Sequence, residues 1–299
     1  METMTKKLMQ SAWELLKRKG PLALIRGVSR YLALYWTPDK IIKYGMVKLS
    51  RKNEPVVKVV QNSKMLLEPK SGGIHMDLFL NGIRESICTQ ILQDILEPDM
   101  VVVDIGANIG YYALMEAREV KKVYAIEPEP KNYEALLVNI QLNKYTNVEA
   151  HNLAIGDRNG KVLFDLANIS NWHRVSCNNT EGNTIEVPMA TLDTFLKDKE
   201  VHLIRMDVEG YELNILKGAK EILERHPLHL FLEVHRDYLK EYRGSTEELL
   251  ELLDIHGFTI THSILLGRPG PTGPISNLSR KEKEELTTSG ASFWWFLKK

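Results

Sequence analysis

The feature that most constrains the fold is an alternation of short apolar runs with helical patterns after residue 56. The five runs are residues 101–105, 123–127, 148–155, 202–208 and 228–234. Several are apolar throughout, which is typical of strands buried on both faces. Helical patterns alternate with them, at residues 111–118, 132–143, 211–223 and 245–257. This order predicts an α/β fold, in which a parallel Rossmann-like sheet carries helices on both faces.

Other segments extend this sheet. Residues 161–166 and 183–190 predict strands that flank a polar loop, so we expect an insertion there. Residues 258–267 and 291–299 predict a C-terminal antiparallel hairpin, and residues 56–69 predict an accessory hairpin. We therefore expect a basic helical N-terminal extension over residues 1–55 and an α/β domain over residues 56–299.

The charge of the chain is unevenly distributed although it sums to zero. The sequence has 39 Lys+Arg and 39 Asp+Glu, but residues 1–52 hold twelve basic and three acidic residues. The first segment thus carries +9 and the remainder −9, an asymmetry that predicts an anionic partner for the basic part. Two cysteines in 299 residues argue against a disulfide framework and indicate a reducing compartment, which favours the cytoplasm.

The N-terminal segment predicts neither a membrane-spanning helix nor a secretory signal. Its most apolar stretch, residues 21–36, contains Arg26 and Arg30, whose charges are costly at a bilayer centre. The segment has no continuous apolar region followed by a cleavage site. Its amphipathic pattern is compatible with peripheral contact of residues 1–50 with the inner face of a membrane. It is equally compatible with a helical cap on the α/β domain.

The most informative motif is residues 101–112, VVVDIGANIGYY. A buried strand runs into a turn that contains Gly106 and Gly110, and a helix follows. Glycine allows a ligand to approach the backbone closely, and the helix N-terminus offers free N–H groups. Glu127 ends the next strand, 21 positions after Gly106, where an acid can accept hydrogen bonds from both hydroxyls of a ribose. The motif predicts an adenosine-containing ligand.

The residues of the turn favour S-adenosylmethionine over a dinucleotide. A dinucleotide site requires glycine at position 108, where this chain has Asn108. Asp104, directly before the turn, would repel a pyrophosphate but suits the sulfonium and ammonium groups of S-adenosylmethionine. The alternative is a turn that only packs helix on strand, and the agreement of strand, turn, helix and distal acid argues against it.

Residues 104–112 resemble motif I of class I S-adenosylmethionine-dependent methyltransferases, and their DxGANxGY form resembles the FkbM-type family. Residues 125–140, 152–157, 191–196 and 203–219 are similar to that family as well. The resemblance is strongest over residues 80–240. It implies transfer of a methyl group to a hydroxyl oxygen, commonly on sugars, glycolipids or polyketides.

The resemblance also implies a set of cofactor contacts. Motif I would line the methionine moiety, Glu127 would hold the ribose, and the segment after Asn152 would border the adenine. A place before motif I, here Glu85, often contacts methionine in related enzymes, although an exposed helical glutamate is the simpler interpretation. The implied residues are Asp104, Gly106, Ala107, Asn108, Gly110, Tyr111, Glu127, Pro128, Asn152, Ala154, Ile155, Asp207 and Glu85.

Catalytic candidates follow two further strands. A sugar hydroxyl is a poor nucleophile, so transfer requires an oriented acceptor and a general base or a metal. We predict His235 as the base, because its ordinary pKa lies near the working pH, with Asp207 and Glu233 beside it. The alternatives are a histidine that satisfies a local hydrogen bond and an aspartate that caps a helix.

Two further interpretations concern neighbouring residues. Glu209 and Glu212 also fit the start of a helix, where acids complement the helix dipole, and capping is the favoured role for Glu212. Hard ligands for Mg²⁺ are available, although their spacing is not diagnostic; they are Asp207, Glu209, Glu233 and His235. Trp172 and His173, in the inserted loop, are placed to contact an acceptor sugar.

The leading hypothesis is an S-adenosylmethionine-dependent O-methyltransferase that acts on a glycan or a lipid-linked glycan. The alternative is a tRNA or RNA methyltransferase whose basic N-terminus binds phosphates. The acidic α/β domain opposes a polyanion near the reaction centre, and the chain has no NPPY-like catalytic motif. A non-catalytic binding module is the third class, and the full set of cofactor residues argues against it.

Overall fold

The predicted strands and helices lie in one mixed α/β architecture in the computed structural model, which describes residues 38–49, 54–167, 173–177, 183–265, 267–288 and 293–299. The chain divides into two compact units, Met1–Asn53 and Glu54–Lys299. In the first unit the described part is one helix, α1 (Pro38–Leu49). Residues 1–37 of the predicted extension and Trp172 of the inserted loop lie outside the described residues.

The second unit contains the remaining elements. Its strands are β1 (Val56–Val60), β2 (Ser63–Leu67), β3 (Val101–Ile105), β4 (Lys122–Ile126), β5 (Val148–His151), β6 (Ala154–Gly156), β7 (Gly160–Asp165), β8 (Arg174–Val175), β9 (Thr184–Thr191), β10 (Leu203–Met206), β11 (His229–Val234), β12 (Thr259–Leu265), β13 (Arg268–Pro269), β14 (Gly273–Pro274) and β15 (Phe293–Lys298). Its helices are α2 (Gly73–Asn81), α3 (Ser86–Ile95), α4 (Tyr111–Glu116), α5 (Pro130–Asn143), α6 (Leu192–Phe195), α7 (Glu212–Lys217), α8 (Arg236–Leu239), α9 (Thr246–Ile255) and α10 (Arg280–Thr288).

The main sheet confirms the predicted fold class. Its strand order is β13-β12-β15-β11-β10-β3-β4-β5, and β14 also pairs with β12. The five strands from β11 to β5 are parallel, whereas β15 lies antiparallel between β11 and β12. The C-terminal strands thus pair antiparallel as predicted, and β15 inserts next to the parallel strands.

The two faces of this sheet are buried in two separate hydrophobic clusters. Along β3, Val102 packs in one cluster and Val103 in the other. Trp294 and Trp295 of β15 divide in the same way, because successive side chains of a strand point to opposite faces. Burial on both faces explains why these strands are apolar throughout.

The predicted strand over residues 148–155 is two strands in different sheets. Strand β5 pairs with β4, whereas β6 pairs with β9 in a second sheet of order β6-β9-β7-β8. Asn152 lies between them, and its Nδ2 donates to the backbone oxygens of Glu127 and Pro128 at 2.8 and 3.0 Å. These bonds turn the chain, because the side-chain amide replaces the next pair of the strand ladder. The predicted insertion is therefore a small sheet of its own.

Two helical predictions differ from the structure. The predicted helix over residues 211–223 ends at Lys217 and continues as a short 3₁₀ turn, Ile222–Glu224. Gly218 lies between them, at a position where a Cβ would lie 2.2 Å from the backbone oxygen of Gly156.

The C-terminal hairpin is connected through α10, a polar helix that the sequence analysis did not predict. In the described part of the chain, no helix has the length and apolarity that a bilayer crossing requires.

The accessory hairpin of β1 and β2 is confirmed, and one side chain joins it to motif I. Asn139 of α5 is fully buried. Its Oδ1 accepts a hydrogen bond from the backbone N–H of Leu66, and its Nδ2 donates to the backbone oxygen of Ile109. A single amide thereby connects the hairpin, α5 and the glycine-rich turn.

Candidate functional site

A cavity lies at the carboxyl ends of β3, β4 and β10. Parallel strands of an open sheet commonly bind ligands at this edge. The residues predicted to contact the cofactor that line the cavity are Gly106, Ala107, Asn108, Tyr111, Glu127, Pro128, Ala154, Ile155 and Asp207.

The glycine-rich turn requires glycine because it touches the end of β10. Gly106 has φ +81°, and a Cβ there would lie 2.0 Å from the backbone oxygen of Asp207. The backbone N–H of Gly106 donates to Ile126 at 2.9 Å, and that of Asp207 donates to Ile105 at 3.1 Å. Close packing therefore places the predicted cofactor turn directly beside a predicted catalytic residue.

Glu127 lies where the sequence places a ribose ligand. Its Oε2 accepts the backbone N–H of Asn108 at 2.8 Å, and its Oε1 accepts that of Glu129 at 2.9 Å. Burial raises the pKa of Glu127 to about 8, against the opposing effect of these backbone donors. The Asn132 side chain is a third hydrogen-bond donor to this carboxylate, and the acceptor capacity that remains is available to a ribose hydroxyl.

Asp104 is positioned differently from the prediction. Its side chain is fully buried and does not line the cavity; Arg205 Nη1 lies 2.6 Å from its Oδ1. The guanidinium carbon of Arg205 lies 3.8 Å from the ring centroid of Tyr112, and its Nη2 lies 3.6 Å from Asp207 Oδ2. Arg205 lines the cavity in place of Asp104. A buried carboxylate needs a cationic partner, and this one pairs with the neighbouring strand instead of facing the ligand.

Glu85 also differs from its prediction. It precedes α3 with φ +46° and is therefore not inside a helix. Its carboxylate accepts a hydrogen bond from the Tyr112 hydroxyl at 2.8 Å and lies 2.9 Å from Arg84 Nε. Arg84, not Glu85, lines the cavity. Gly110 and Asn152 do not line it either: a Cβ on Gly110 would lie 2.7 Å from Leu136 Cδ1, and Asn152 holds the Glu127–Pro128 backbone.

The acceptor-side candidates form one cluster around the His235 ring. Nε2 of His235 lies 3.5 Å from Glu209 Oε2, 3.5 Å from Glu233 Oε1 and 4.0 Å from Asp207 Oδ1. Nδ1 lies 2.9 Å from Glu212 Oε1. Asp207 and Glu209 line the cavity, whereas His235 and Glu233 do not. The structure thus brings the predicted catalytic residues together, but in two layers.

The electrostatics of the cluster change the expected state of His235. Burial lowers the pKa of His235, but Glu233, Glu212 and Glu209 outweigh that effect and raise it well above its ordinary value. Burial raises the pKa of Glu209 to about 7 and raises that of Glu233 well above its ordinary value. At neutral pH His235 is therefore an imidazolium among carboxyl groups, and its proton is already in place.

The insertion sheet supplies part of the cavity wall. Phe164 of β7, Val175 of β8 and His173 line the cavity opposite motif I residues. His173 Nδ1 accepts the backbone N–H of Ala167 at 2.9 Å. Burial lowers the pKa of His173, so the ring is neutral with its hydrogen on Nε2. The ring thus offers a donor to a neutral ligand.

Two arginines of the cavity escaped the sequence analysis. Arg205 occupies an otherwise apolar parallel strand and is the register partner of Asp104. A basic residue in such a run is itself a pattern, because charge is rarely buried unless it is paired. Arg84 lies in a loop before α3, where sequence periodicity gives no indication of burial.

The comparison with protein families decides the identity of the chain. The model described as Methyltransferase FkbM domain matches residues 104–260, more than half of the chain. The protein belongs to the FkbM methyltransferase family. The match begins at Asp104 and includes motif I, the insertion sheet and the cluster around His235, so the cavity lies almost entirely inside the family region.

Several named methyltransferases are similar in sequence to this FkbM-family chain. Hexuronic acid methyltransferase AglP of Haloferax volcanii is 29% identical over 140 residues, which cover 45% of this chain and 56% of AglP. 2-O-methyltransferase NoeI of Sinorhizobium fredii is 26% identical over 201 residues, covering 58% of this chain and 82% of NoeI. The match to Methyltransferase 1 of Beauveria bassiana covers 41% of this chain and 59% of that protein, with 24% identity. The chain thus spans less than two thirds of two of these relatives.

A solved structure resembles the chain more loosely. The M. jannaschii TYW2 crystal structure, in complex with AdoMet, is 17% identical, with a TM-score of 0.47 and coverage of 84% of this chain and 87% of that one.

Proposed function

We propose that the protein is an S-adenosylmethionine-dependent O-methyltransferase whose acceptor is a hydroxyl of a glycan or lipid-linked glycan. The observation that carries the proposal is the contact between Gly106 and Asp207, which joins the cofactor turn to the acceptor-side carboxylates in one cavity. Membership of the FkbM family supports the reaction class, the name of AglP supports a sugar acceptor, and the name of NoeI supports transfer to oxygen.

The residues of the cavity fit this cofactor. Gly106 and Asn108 (φ +81° and +51°) form a left-handed turn that lines the cavity, and Glu127 has acceptor capacity for a ribose hydroxyl. Pro128, Ala154 and Ile155 supply an apolar surface for the adenine. When bound, S-adenosylmethionine supplies an activated methyl group on its sulfonium. The carboxylates of Asp207 and Glu209 complement the positive charge of such a ligand.

We assign the general base to Asp207 and not to His235. Asp207 lines the cavity, whereas His235 does not and already holds its proton. The Asp207 carboxylate takes the proton from the acceptor hydroxyl, and the Nε2–H of His235 faces the same carboxylate cluster. The imidazolium thus places a positive charge 4.0 Å from Asp207 Oδ1, beside the proposed path of the proton.

A metal ion is not part of this proposal. The ligand atoms of Asp207, Glu233 and His235 lie within 4.8 Å of one another. However, one of the three donors is the imidazole nitrogen of His235, whereas Mg²⁺ prefers oxygen ligands in an octahedral arrangement. The donor set therefore fits an internal ion cluster better than a magnesium site.

An RNA acceptor is the second candidate, because twelve basic residues precede residue 53. Three carboxyl groups, those of Glu127, Asp207 and Glu209, line the cavity, and they repel a phosphate backbone near the reaction centre. A gel shift with bulk tRNA at moderate salt distinguishes the two: tight, salt-sensitive binding would favour RNA.

The experiment that tests the function follows a labelled methyl group. The purified protein is incubated with labelled S-adenosylmethionine and fractionated cell extract, and the label is partitioned among lipid, glycan, RNA and protein. We expect the label in glycan or lipid-linked glycan. Glu127→Ala should abolish cofactor binding by calorimetry, and Asp207→Asn should retain binding and lose transfer. Label confined to RNA or protein would contradict the proposed acceptor.

We also propose a peripheral membrane location on the cytoplasmic side. In the described part of the N-terminal unit, Ile42 and Met46 of α1 lie one helical turn apart and are 60% and 59% exposed. Lys40, Lys43 and Lys48 are on the same helix. Exposed apolar residues with basic neighbours are typical of helices that lie on anionic membranes.

A further inference from the structure

A buried carboxylate, Glu212, lies against the ring of His235. A glutamate at the start of a helix ordinarily interacts with the helix itself, and the sequence favours that role here. In the structure, α7 begins at Glu212, but Glu212 Oε1 accepts the backbone N–H of Gly210 at 3.0 Å, two residues before it. The same oxygen lies 2.9 Å from His235 Nδ1. Glu212 is fully buried, so this contact is shielded from water.

The hydrogen bonds define which ring nitrogen carries the shared hydrogen. Glu212 Oε1 accepts from Gly210, so it is an acceptor toward the ring as well, and His235 Nδ1 must donate. Nε2 is then the atom that faces the remaining carboxyl groups of Asp207, Glu209 and Glu233. The orientation of the ring follows from its contact with Glu212.

Backbone packing holds the two side chains in this arrangement. Gly210 has φ +102°, and a Cβ there would lie 2.4 Å from Tyr238 Cβ. Tyr238 in turn donates its backbone N–H to the backbone oxygen of His235 at 3.0 Å, and its ring stacks on the imidazole with centroids 6.1 Å apart. The loop after β10 and the start of α8 are thus in direct contact, which brings Glu212 to His235.

We propose that Glu212 is a positioning residue, which fixes the orientation of the His235 ring so that Nε2–H faces the carboxyl groups of Asp207, Glu209 and Glu233 beside the cavity. The inference rests on the proposed function, because it gives Asp207 the acceptor proton. Glu212 does not line the cavity, and it acts through the imidazole ring of His235. The titratable and charged groups around the ring are Asp207, Glu209, Glu212, Glu233 and Tyr238, with Arg84, Glu85 and Arg205 next to those carboxylates.

The first measurement does not depend on activity. Nitrogen-15 NMR of histidine-labelled protein follows both ring nitrogens of His235 with pH, and the spectrum of His235→Asn provides the assignment. In Glu212→Gln the neutral amide replaces a charge-assisted acceptor, so we expect the pKa of the ring to fall by about one to two pH units. Identical ring signals in the wild type and Glu212→Gln would overturn the proposal.

The second measurement uses methyl transfer as a function of pH. We expect Glu212→Gln to lower kcat by about 10- to 100-fold, with KM for S-adenosylmethionine unchanged. The pH range of full activity should narrow at both ends. Without Glu212 the His235 ring loses its extra proton at a lower pH, and the neighbouring carboxylates, which then lack the imidazolium charge, gain protons at a higher pH. A loss of activity with an unchanged profile would indicate a merely structural role and refute the proposal.

Two further variants complete the test. Glu247→Gln is the matched control, because Glu247 is an exposed glutamate in the first turn of α9; it should change neither readout. If Glu212→Gln does not fold, Glu212→Asp retains the charge with a shorter reach and should give intermediate values of both readouts; values equal to the wild type would overturn the proposal. A wild type that transfers no methyl group but shows the NMR difference would contradict the proposed function and leave the Glu212–His235 pair in place.

Discussion

Asp104 and Arg205 are register partners on the neighbouring strands β3 and β10, and their side chains form a buried ion pair with 2.6 Å between Oδ1 and Nη1. Their exposed fractions are 0% and 3%. The pair connects the strand that carries motif I to the strand that carries Asp207. The geometry of the cavity therefore depends on a charge pair whose carboxylate, Asp104, the sequence analysis had assigned to a ligand.

Removing one partner should be more damaging than removing both. Asp104→Leu leaves the Arg205 guanidinium buried without its anion, which costs about 3 to 5 kcal/mol of the free energy of unfolding. The double variant Asp104→Leu with Arg205→Met should lose less than the sum of the two single variants. Urea denaturation measures all three. Lys161→Ala, which breaks an exposed ion pair with Glu186, should leave stability unchanged; strictly additive losses would contradict a coupled pair.

Gly106→Ala should abolish cofactor binding. The new Cβ would meet the backbone oxygen of Asp207 at 2.0 Å, so both strand ends must separate. Gly257→Ala is the control, because Gly257 also has a positive φ, +77°, but no atom lies within 4 Å of the added Cβ. We expect the control to lose about 1 kcal/mol through its backbone conformation alone. Calorimetry with S-adenosylmethionine and thermal unfolding distinguish the two; equal binding by both variants would contradict the close approach.

Adenosine affinity should rise with pH through the titration of Glu127. Its pKa is raised to about 8 from 4.5, so Glu127 is largely protonated at pH 6 when the site is empty. Ribose hydroxyls that donate hydrogen bonds to it require the ionised carboxylate. We expect affinity to increase by up to about 50-fold between pH 6 and pH 8. The sign for stability is opposite: between these pKa values the folded protein retains a proton that the unfolded chain has lost, so the empty protein becomes less stable as pH rises. Calorimetry with adenosine, which has no titrating group in this range, checks the first effect, and Glu127→Gln should show no such pH dependence.

Binding to anionic vesicles should require the N-terminal unit. We expect the full chain to sediment with vesicles that contain phosphatidylserine and to remain free of vesicles of phosphatidylcholine alone, because lysines next to apolar residues respond to surface charge. Replacing Ile42 and Met46 with Asn should weaken binding without changing the net charge of the helix. Unchanged vesicle binding after removal of residues 1–50 would contradict this location.

Elements with a strong hydrophobic periodicity were predictable from the sequence, whereas turns held by side-chain hydrogen bonds were not. The parallel strands and α5 follow directly from their apolar patterns. The division of residues 148–155 depends on the Asn152 amide, whose partners are residues 127 and 128 on another strand end. Helix α10 buries a single apolar side chain, Leu286, among its described residues, yet Ser279 and Glu282 form a reciprocal capping box at its start. That local pattern was available in the sequence and was missed.

For the site, the residues at the strand ends were easier to predict than the directions in which their side chains point. Sequence placed Glu127 and Asp207 at the cavity because strand ends meet at one edge. It could not show that the Asp104 carboxylate faces Arg205, or that His235 lies among Asp207, Glu209, Glu212 and Glu233. Both depend on which face of a strand end each side chain takes, and on counter-charges distant in the chain. The protonation of His235 follows from that environment and not from the residue type.

The cavity has walls from two sheets with separate hydrogen-bond ladders: the parallel strands provide one side, and Phe164 and Val175 of the insertion provide the other. The two sides are therefore free to diverge at different rates. Substitutions or length changes around β7 and β8 alter the shape that an acceptor meets without disturbing the strand ends that hold Glu127 and Asp207. A chain built this way can acquire new acceptors while it keeps one reaction, and its insertion is the segment to exchange in redesigning selectivity.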